Sequence, residues 1–357
     1  IDSVWRYLPL LPVNESPENK NIRVGATPLI EFPNIAKELH FNQLYIKDDT
    51  RNPSGSLKDR ASELGIQHAK ELGENLIIAA STGNAAASLA CLSAFHDVKA
   101  LILAPDSAPI AKLTQILQYG AKLLPVNGSY DNAFDLSFEL TKRHGWYSRN
   151  TGINPVMSEG KKTIAFEIAE QLNWKSPDQI YVPVGDGCII GAVYKGFYDL
   201  FKLGWITKIP ALVAVQSENS AAVVNALESG GEIVPVKSIT IADSISVDFP
   251  KDGGKALAAV RDSNGFGILV SDAEILQAQL IMSSSTGIFC EPASAAAYAG
   301  MLKAANENRI SNSDNIGVLA TGTGLKDINS ASKNCQIPES VSPNIESAEN
   351  SLKELLH

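Results

Sequence analysis

Short runs of Ile, Val, Leu and Ala recur along the chain, each closed by Gly, Pro, Ser or Asp and followed by a longer stretch of mixed polarity. The runs at 44–49 (LYIKDD), 76–81 (LIIAAS), 100–105 (ALILAP), 122–126 (KLLPV), 180–185 (IYVPVG), 212–217 (LVAVQS) and 316–322 (IGVLATG) predict strands. The stretches at 59–72, 84–96, 109–119, 131–144, 160–172, 189–203, 272–283 and 292–306 predict helices. Strand followed by helix, repeated, predicts an α/β fold built on buried parallel sheets. Segment 145–160, polar and rich in Gly, Pro and Asn, reads as a boundary. After Asp327 the chain turns polar and reads as a loose tail with a short terminal helix at 351–357.

Composition narrows the class. A chain of 357 residues holds about two domains of ordinary size. Hydrophobic residues at 45% and charged residues at 19% exclude wholesale disorder. Lys+Arg 30 against Asp+Glu 39 gives a net charge of −9, which opposes general binding to nucleic acid or an anionic membrane. No apolar run is long enough to cross a bilayer. The opening IDSVWRYLPLLPV has neither the basic start nor the unbroken apolar stretch of a signal peptide; the first residue is Ile, which leaves room for a preceding segment. Cys91, Cys188, Cys290 and Cys335 lie far apart with no C-x-x-C, so a reducing, cytoplasmic compartment is expected. The five histidines stand singly and suggest no metal site.

Candidate chemistry sits in turns at the carboxyl ends of strands, where open α/β sheets bind ligands. Asn52-Pro53-Ser54-Gly55-Ser56-Leu57-Lys58 is a small-residue turn that sets a lysine at the start of a helix. A cation is badly placed there for helix stability, and an amine in its neutral form attacks a carbonyl to give a Schiff base. Ser81-Thr82-Gly83-Asn84 offers hydroxyls and free amides suited to a carboxylate, though an ordinary helix cap has the same composition. Gly185-Asp186-Gly187-Cys188-Ile189-Ile190-Gly191 is a phosphate cradle or, alternatively, part of a dinucleotide fingerprint; the next strand ends in Gln216-Ser217, with Glu218 just beyond, which weakens the second reading. Thr321-Gly322-Thr323-Gly324 places a hydroxyl at a fourth strand end, and Glu291-Pro292 reads as a favourable helix-dipole contact. Lys161 and Lys162 read either as anion ligands or as a solvated helix start.

In this order, NPSGSLKDR, STGNAAAS, SEGKKTIAFEIAEQL, VGDGCIIG, EPASAA and TGTGLKD resemble the threonine synthase family, which belongs to the fold-type-II, tryptophan synthase β-like pyridoxal-phosphate enzymes. The resemblance runs from about Trp5 to Asp327. It implies two parallel-sheet domains: a large cofactor domain from 1–61 plus 151–330, a small mobile domain at 62–150, and a tail at 331–357. It implies that Lys58 is the catalytic lysine joined to pyridoxal 5′-phosphate, that Asn84 contacts the 3′ oxygen, and that Gly185, Asp186, Gly187, Cys188 and Ile189 hold the phosphate. Thr321 would meet the ring nitrogen, and Ser81, Thr82 and Gly83 the substrate carboxylate. The implied reaction converts O-phosphohomoserine and water to threonine and phosphate, in a homodimer. An ammonia-lyase acting on threonine or serine, or a β-replacement enzyme, is the alternative. Two departures bear on that choice: Ala85 stands where many relatives have a hydroxyl, and Met157 where many have an arginine, both at positions that bind the substrate phosphate. Asn150, Thr151, Lys161 and Lys162 remain as donors for that group.

Overall fold

The computed structural model describes residues 2–355 apart from 20 and 336. Ten strands build two sheets. They are β1 (Leu29–Glu31), β2 (Gln43–Asp48), β3 (Leu76–Ala80), β4 (Lys99–Pro105), β5 (Lys122–Val126), β6 (Tyr147–Ser148), β7 (Gln179–Pro183), β8 (Ala211–Ser217), β9 (Phe266–Val270) and β10 (Asn315–Ala320). The larger sheet runs β1-β2-β10-β7-β8-β9 and is parallel except for the β1–β2 pair. The smaller, β5-β4-β3-β6, is wholly parallel. The strands of the smaller sheet span 76–148, and both arms of the chain around them contribute to the larger one.

Both faces of each sheet are covered. In β8, Leu212 and Ala214 face one apolar cluster while Val213 and Val215 face another, as the two-residue strand period requires. In β3, Ile77 and Ala79 alternate in the same way with Ile78 and Ala80. All eight predicted helices are present, but the segment 160–172 forms two, Val156–Lys161 and Thr163–Gln171. The tail is more ordered than expected: a helix spans Ile328–Ala331, and another runs Ile345–Leu355, beginning six residues before the expected 351–357, of which 356 and 357 lie outside the described residues.

An ion cluster joins the first helix after the Pro-Ser-Gly turn to the larger sheet. Arg60 is fully buried in the helix Lys58–Glu71. Its Nε donates to Asp49 Oδ2 at 2.6 Å and its Nη1 to Glu167 Oε1 at 2.6 Å, with further bonds to Thr27 and Thr163 hydroxyls. Lys47 Nζ closes the cluster on Glu167 at 2.7 Å and on the Thr27 carbonyl. Burial pushes the Glu167 carboxyl up, but Arg60 and Lys47 override it and hold the group below the usual carboxylate range.

Replacing one partner of a buried ion cluster strands the others. Arg60→Met should therefore lower the free energy of unfolding by about 3–5 kcal/mol, read from urea midpoints. Because Glu167 is held low, its contribution is present above the ordinary carboxylate range and fades as pH falls below about 4. The wild type should show that acid loss and Arg60→Met should lack most of it. An unchanged midpoint would mean that the cluster does not hold the fold.

Candidate active site

The turn before Lys58 is sewn to the end of β10. Leu57 N donates to the Thr321 carbonyl at 2.8 Å, Thr323 N to the Gly55 carbonyl at 3.0 Å, and Glu291 N to the Gly322 carbonyl at 2.9 Å. Within the turn, Ser54 donates from both its amide and its hydroxyl to the buried carboxylate of Asp59. Three motifs that are far apart in sequence are thus pinned together, with Lys58 as the first residue of its helix.

A cavity of about 540 Å³ opens beside them. Lys58, Ser81, Thr82, Gly83, Asn84, Asn150, Thr151, Gly185, Asp186, Gly187, Cys188, Ile189 and Thr321 all line it. Its size suits a small organic ligand with a substrate alongside.

The Gly185–Ile189 loop leaves β7 and opens the helix Cys188–Lys202. Gly187 has φ +90°, and a Cβ there would meet the Asp252 carbonyl at 2.8 Å. A Cβ on Gly185 would come within 2.9 Å of Ile245 Cα. Among the described residues no acceptor meets the amides of 185–189. Five open N–H groups at a helix start form a receptor for a phosphate.

At the opposite wall the hydrogen-bond directions can be assigned. Ser294 Oγ accepts from the amides of Thr321 and Gly322 at 2.8 and 3.0 Å. With both lone pairs engaged, Ser294 Oγ can only donate, to Thr321 Oγ1 at 3.0 Å or to the Gly322 carbonyl at 3.4 Å, and it takes no proton from Thr321. The Thr321 hydroxyl is left to donate to an acceptor in the cavity, such as an unprotonated ring nitrogen.

Asn84 begins the helix Asn84–Phe95 and donates from Nδ2 to Glu291 Oε2 at 2.8 Å. Glu291 is therefore not simply a helix-dipole contact, as its sequence position suggested. Its carboxylate is buried on the cavity wall, and burial pushes its pKa up against the opposing effects of Asn84 and Lys58. The Ser81 hydroxyl accepts from the Gly83 amide at 3.2 Å, leaving its proton for a ligand.

The expected phosphate donors divide. Asn150 lines the cavity, but its side chain is engaged with the Ala80 amide and the Ser137 hydroxyl. Thr151 lines it with its hydroxyl accepting from Lys161 Nζ at 3.0 Å. Lys161 is fully buried behind that wall, also 3.4 Å from Cys188 Sγ, and burial lowers its pKa to about 8 despite Cys188. Lys162 is paired with Glu159 and Asp199. Neither lysine is a solvated helix start. Ala85 faces the cavity, whereas Met157 does not: it is fully buried in the apolar cluster of the smaller unit, over the space above Gly65. A residue the motifs missed, Arg149, lines the cavity from the end of β6. No spacing signal marks it, because its role depends on a two-residue strand.

The family model for pyridoxal-phosphate dependent enzymes matches residues 21–322. A threonine synthase of Methanocaldococcus jannaschii is 39% identical over 99% of this chain and 87% of its own. One from Synechocystis is 36% identical over 96% of this chain and 89% of its own. Among solved structures, a processed threonine deaminase isoform 2 from Solanum lycopersicum superposes with a TM-score of 0.75 at 23% identity, covering 86% of each chain. Maize serine racemase does so with a TM-score of 0.73 at 20% identity, covering 93% of this chain and 94% of its own. These two carry the fold alone.

Proposed function

This chain belongs to the pyridoxal-phosphate dependent enzymes and stands among the threonine synthases by sequence, and from that premise we propose that it converts O-phosphohomoserine and water to threonine and phosphate. The observation that carries the reading is the row of acceptor-free amides at 185–189 on the wall of the cavity that Lys58 also enters.

In this reading those amides hold the cofactor phosphate, Lys58 is its covalent anchor, Asn84 contacts the 3′ oxygen, and the Thr321 hydroxyl donates to the ring nitrogen. Pyridoxal phosphate, when bound, supplies an electron sink for the substrate's α-carbon. A neutral donor at Thr321 leaves the ring nitrogen unprotonated and tempers that sink, which suits elimination and replacement over transamination. Ser81, Thr82 and Gly83 bind the substrate carboxylate and fix the α-hydrogen toward Lys58. The Lys58 amine would remove the α-proton and then a β-proton, whose electron pair expels phosphate from the γ-carbon; it would return one proton to the γ-carbon and one to the α-carbon, while water adds its OH at the β-carbon and its proton leaves with the phosphate. The domain made by 62–150 closes on 1–61 plus 151–330 to exclude bulk water, with 331–357 as a tail.

The same reading makes the enzyme a cytoplasmic homodimer. Four free cysteines suit a reducing compartment. Trp174, Phe201, Leu203 and Trp205 are exposed near the end of the helix Cys188–Lys202, and Trp174 packs edge-on against Trp205 at 4.9 Å. Such a patch suits a second copy. Among the described residues no helix is long and apolar enough to cross a membrane.

A second reading, an ammonia-lyase on threonine or serine or a β-replacement enzyme, draws support from Ala85 and the core position of Met157, neither of which can receive a phosphate.

With O-phosphohomoserine the purified holoenzyme should release phosphate and threonine in equal amounts, and with threonine it should form little 2-oxo acid. Sedimentation should give a dimer. Oxo acid from threonine without phosphate release would favour the second reading, and a monomer would remove the homodimer.

A further inference from the structure

Two arginines in this chain are almost wholly enclosed, and they differ in one respect. Arg60 is saturated by two carboxylates and two hydroxyls. Arg149, only 2% exposed, is paired with no carboxylate among the described residues. Its backbone is fixed by the bond from its amide to the Ile78 carbonyl at 2.9 Å. Its Nε donates to Ser62 Oγ at 3.2 Å and its Nη2 to the Lys58 carbonyl at 3.4 Å; its Nη1 meets no acceptor among the described residues. A guanidinium carries five N–H donors, so more than half of this one's capacity is unused, in a residue that lines the cavity. A buried cation without a counter-ion is strongly disfavoured, and a site keeps one where an anion arrives to complete it.

The nearby carboxylates do not serve as that anion. Asp59 is held by Ser54, and Glu291 by Asn84 and Ser244. Asp186 accepts from the Lys251 amide. Two residues beyond Arg149, the Thr151 hydroxyl accepts from Lys161 and so has its own proton left for the cavity it lines. A fork of N–H donors and a directed O–H on one wall match the oxygens of a tetrahedral anion.

We infer that Arg149, with Thr151, receives the distal anionic group of the substrate, so that selection of a phosphorylated side chain rests on residue 149 and not on residue 157. The inference rests on the phosphate-releasing reading for the identity of that group, and on the geometry of Arg149 alone for the existence of the anion site. It reconciles the apolar burial of Met157 with a reaction whose substrate carries a phosphate.

The test uses holoenzyme of the wild type, Arg149→Gln, Arg149→Lys and Thr151→Val, compared by phosphate-release kinetics, calorimetric titration with inorganic phosphate, and cofactor absorbance. Losing a charge-assisted fork costs on the order of 10- to 100-fold in binding. Arg149→Gln should therefore raise KM for O-phosphohomoserine and weaken inorganic phosphate by about that factor, with cofactor content held. Arg149→Lys should recover part of the loss, and Thr151→Val should weaken phosphate by several-fold, about 3- to 10-fold. Thr151→Val also decides the matter if Arg149→Gln does not fold. Unchanged phosphate affinity in the variants would overturn the inference, as would loss of cofactor from Arg149→Gln with the affinity of the remaining holoenzyme intact, since Arg149 would then serve the cofactor's phosphate. If the wild type binds inorganic phosphate through Arg149 yet releases none from O-phosphohomoserine, the functional reading fails while the anion site stands.

Discussion

The placement of Lys58 depends on a guanidinium two residues further along. Arg60 is clasped between Asp49, just beyond β2, and Glu167, on the helix Thr163–Gln171. Both partners belong to the larger unit, so the helix that begins at Lys58 cannot rotate or slide without breaking a buried ion cluster. Such clusters add little net stability over an apolar core, but they tolerate one geometry only. That restriction is what a reactive side chain needs. The bonds from Leu57 to Thr321 and from Thr323 to Gly55 then set the Lys58 turn against the end of β10, where the Thr321 hydroxyl stands.

With that corner fixed, the other side of the cavity is built from backbone. Gly185 and Gly187 let the Ile245 and Asp252 segments approach closely, and the amides of 185–189 are left without acceptors among the described residues. Backbone donors make a good phosphate seat because no side-chain entropy is lost on binding. Asn84 and Glu291 bridge the smaller unit to the larger across the site, and Lys112 with Asp243 forms another link at 2.6 Å. Both links join side chain to side chain through polar atoms.

Much of this was legible in the chain itself. The seven apolar runs ending in turn residues are strands, because a buried parallel strand needs an unbroken apolar stretch and a stop. The Lys58, Gly185 and Thr321 turns stand out for the same reason. Three strands escaped. β1 and β6 have three and two residues, too few for any period, and β9 lies at a sheet edge with three of its five residues only partly buried. What could not be read was pairing over long range. Glu291 looks like a helix start until Asn84, 207 residues away, is placed against it. Met157 looks like a site residue until the helix Val156–Lys161 turns it into the core over Gly65. Arg149 looks like an ordinary charge until the fold buries it unpaired with any carboxylate among the described residues.

Every role assigned around the cavity follows from which amine carries the cofactor. Borohydride reduction of the native holoenzyme, followed by digestion and mass spectrometry, locates that bond directly. The phosphopyridoxyl group should be found on the peptide containing Lys58 and on that peptide alone. A label on Lys161, Lys251 or Lys326, or a protein that takes up none, would contradict that placement.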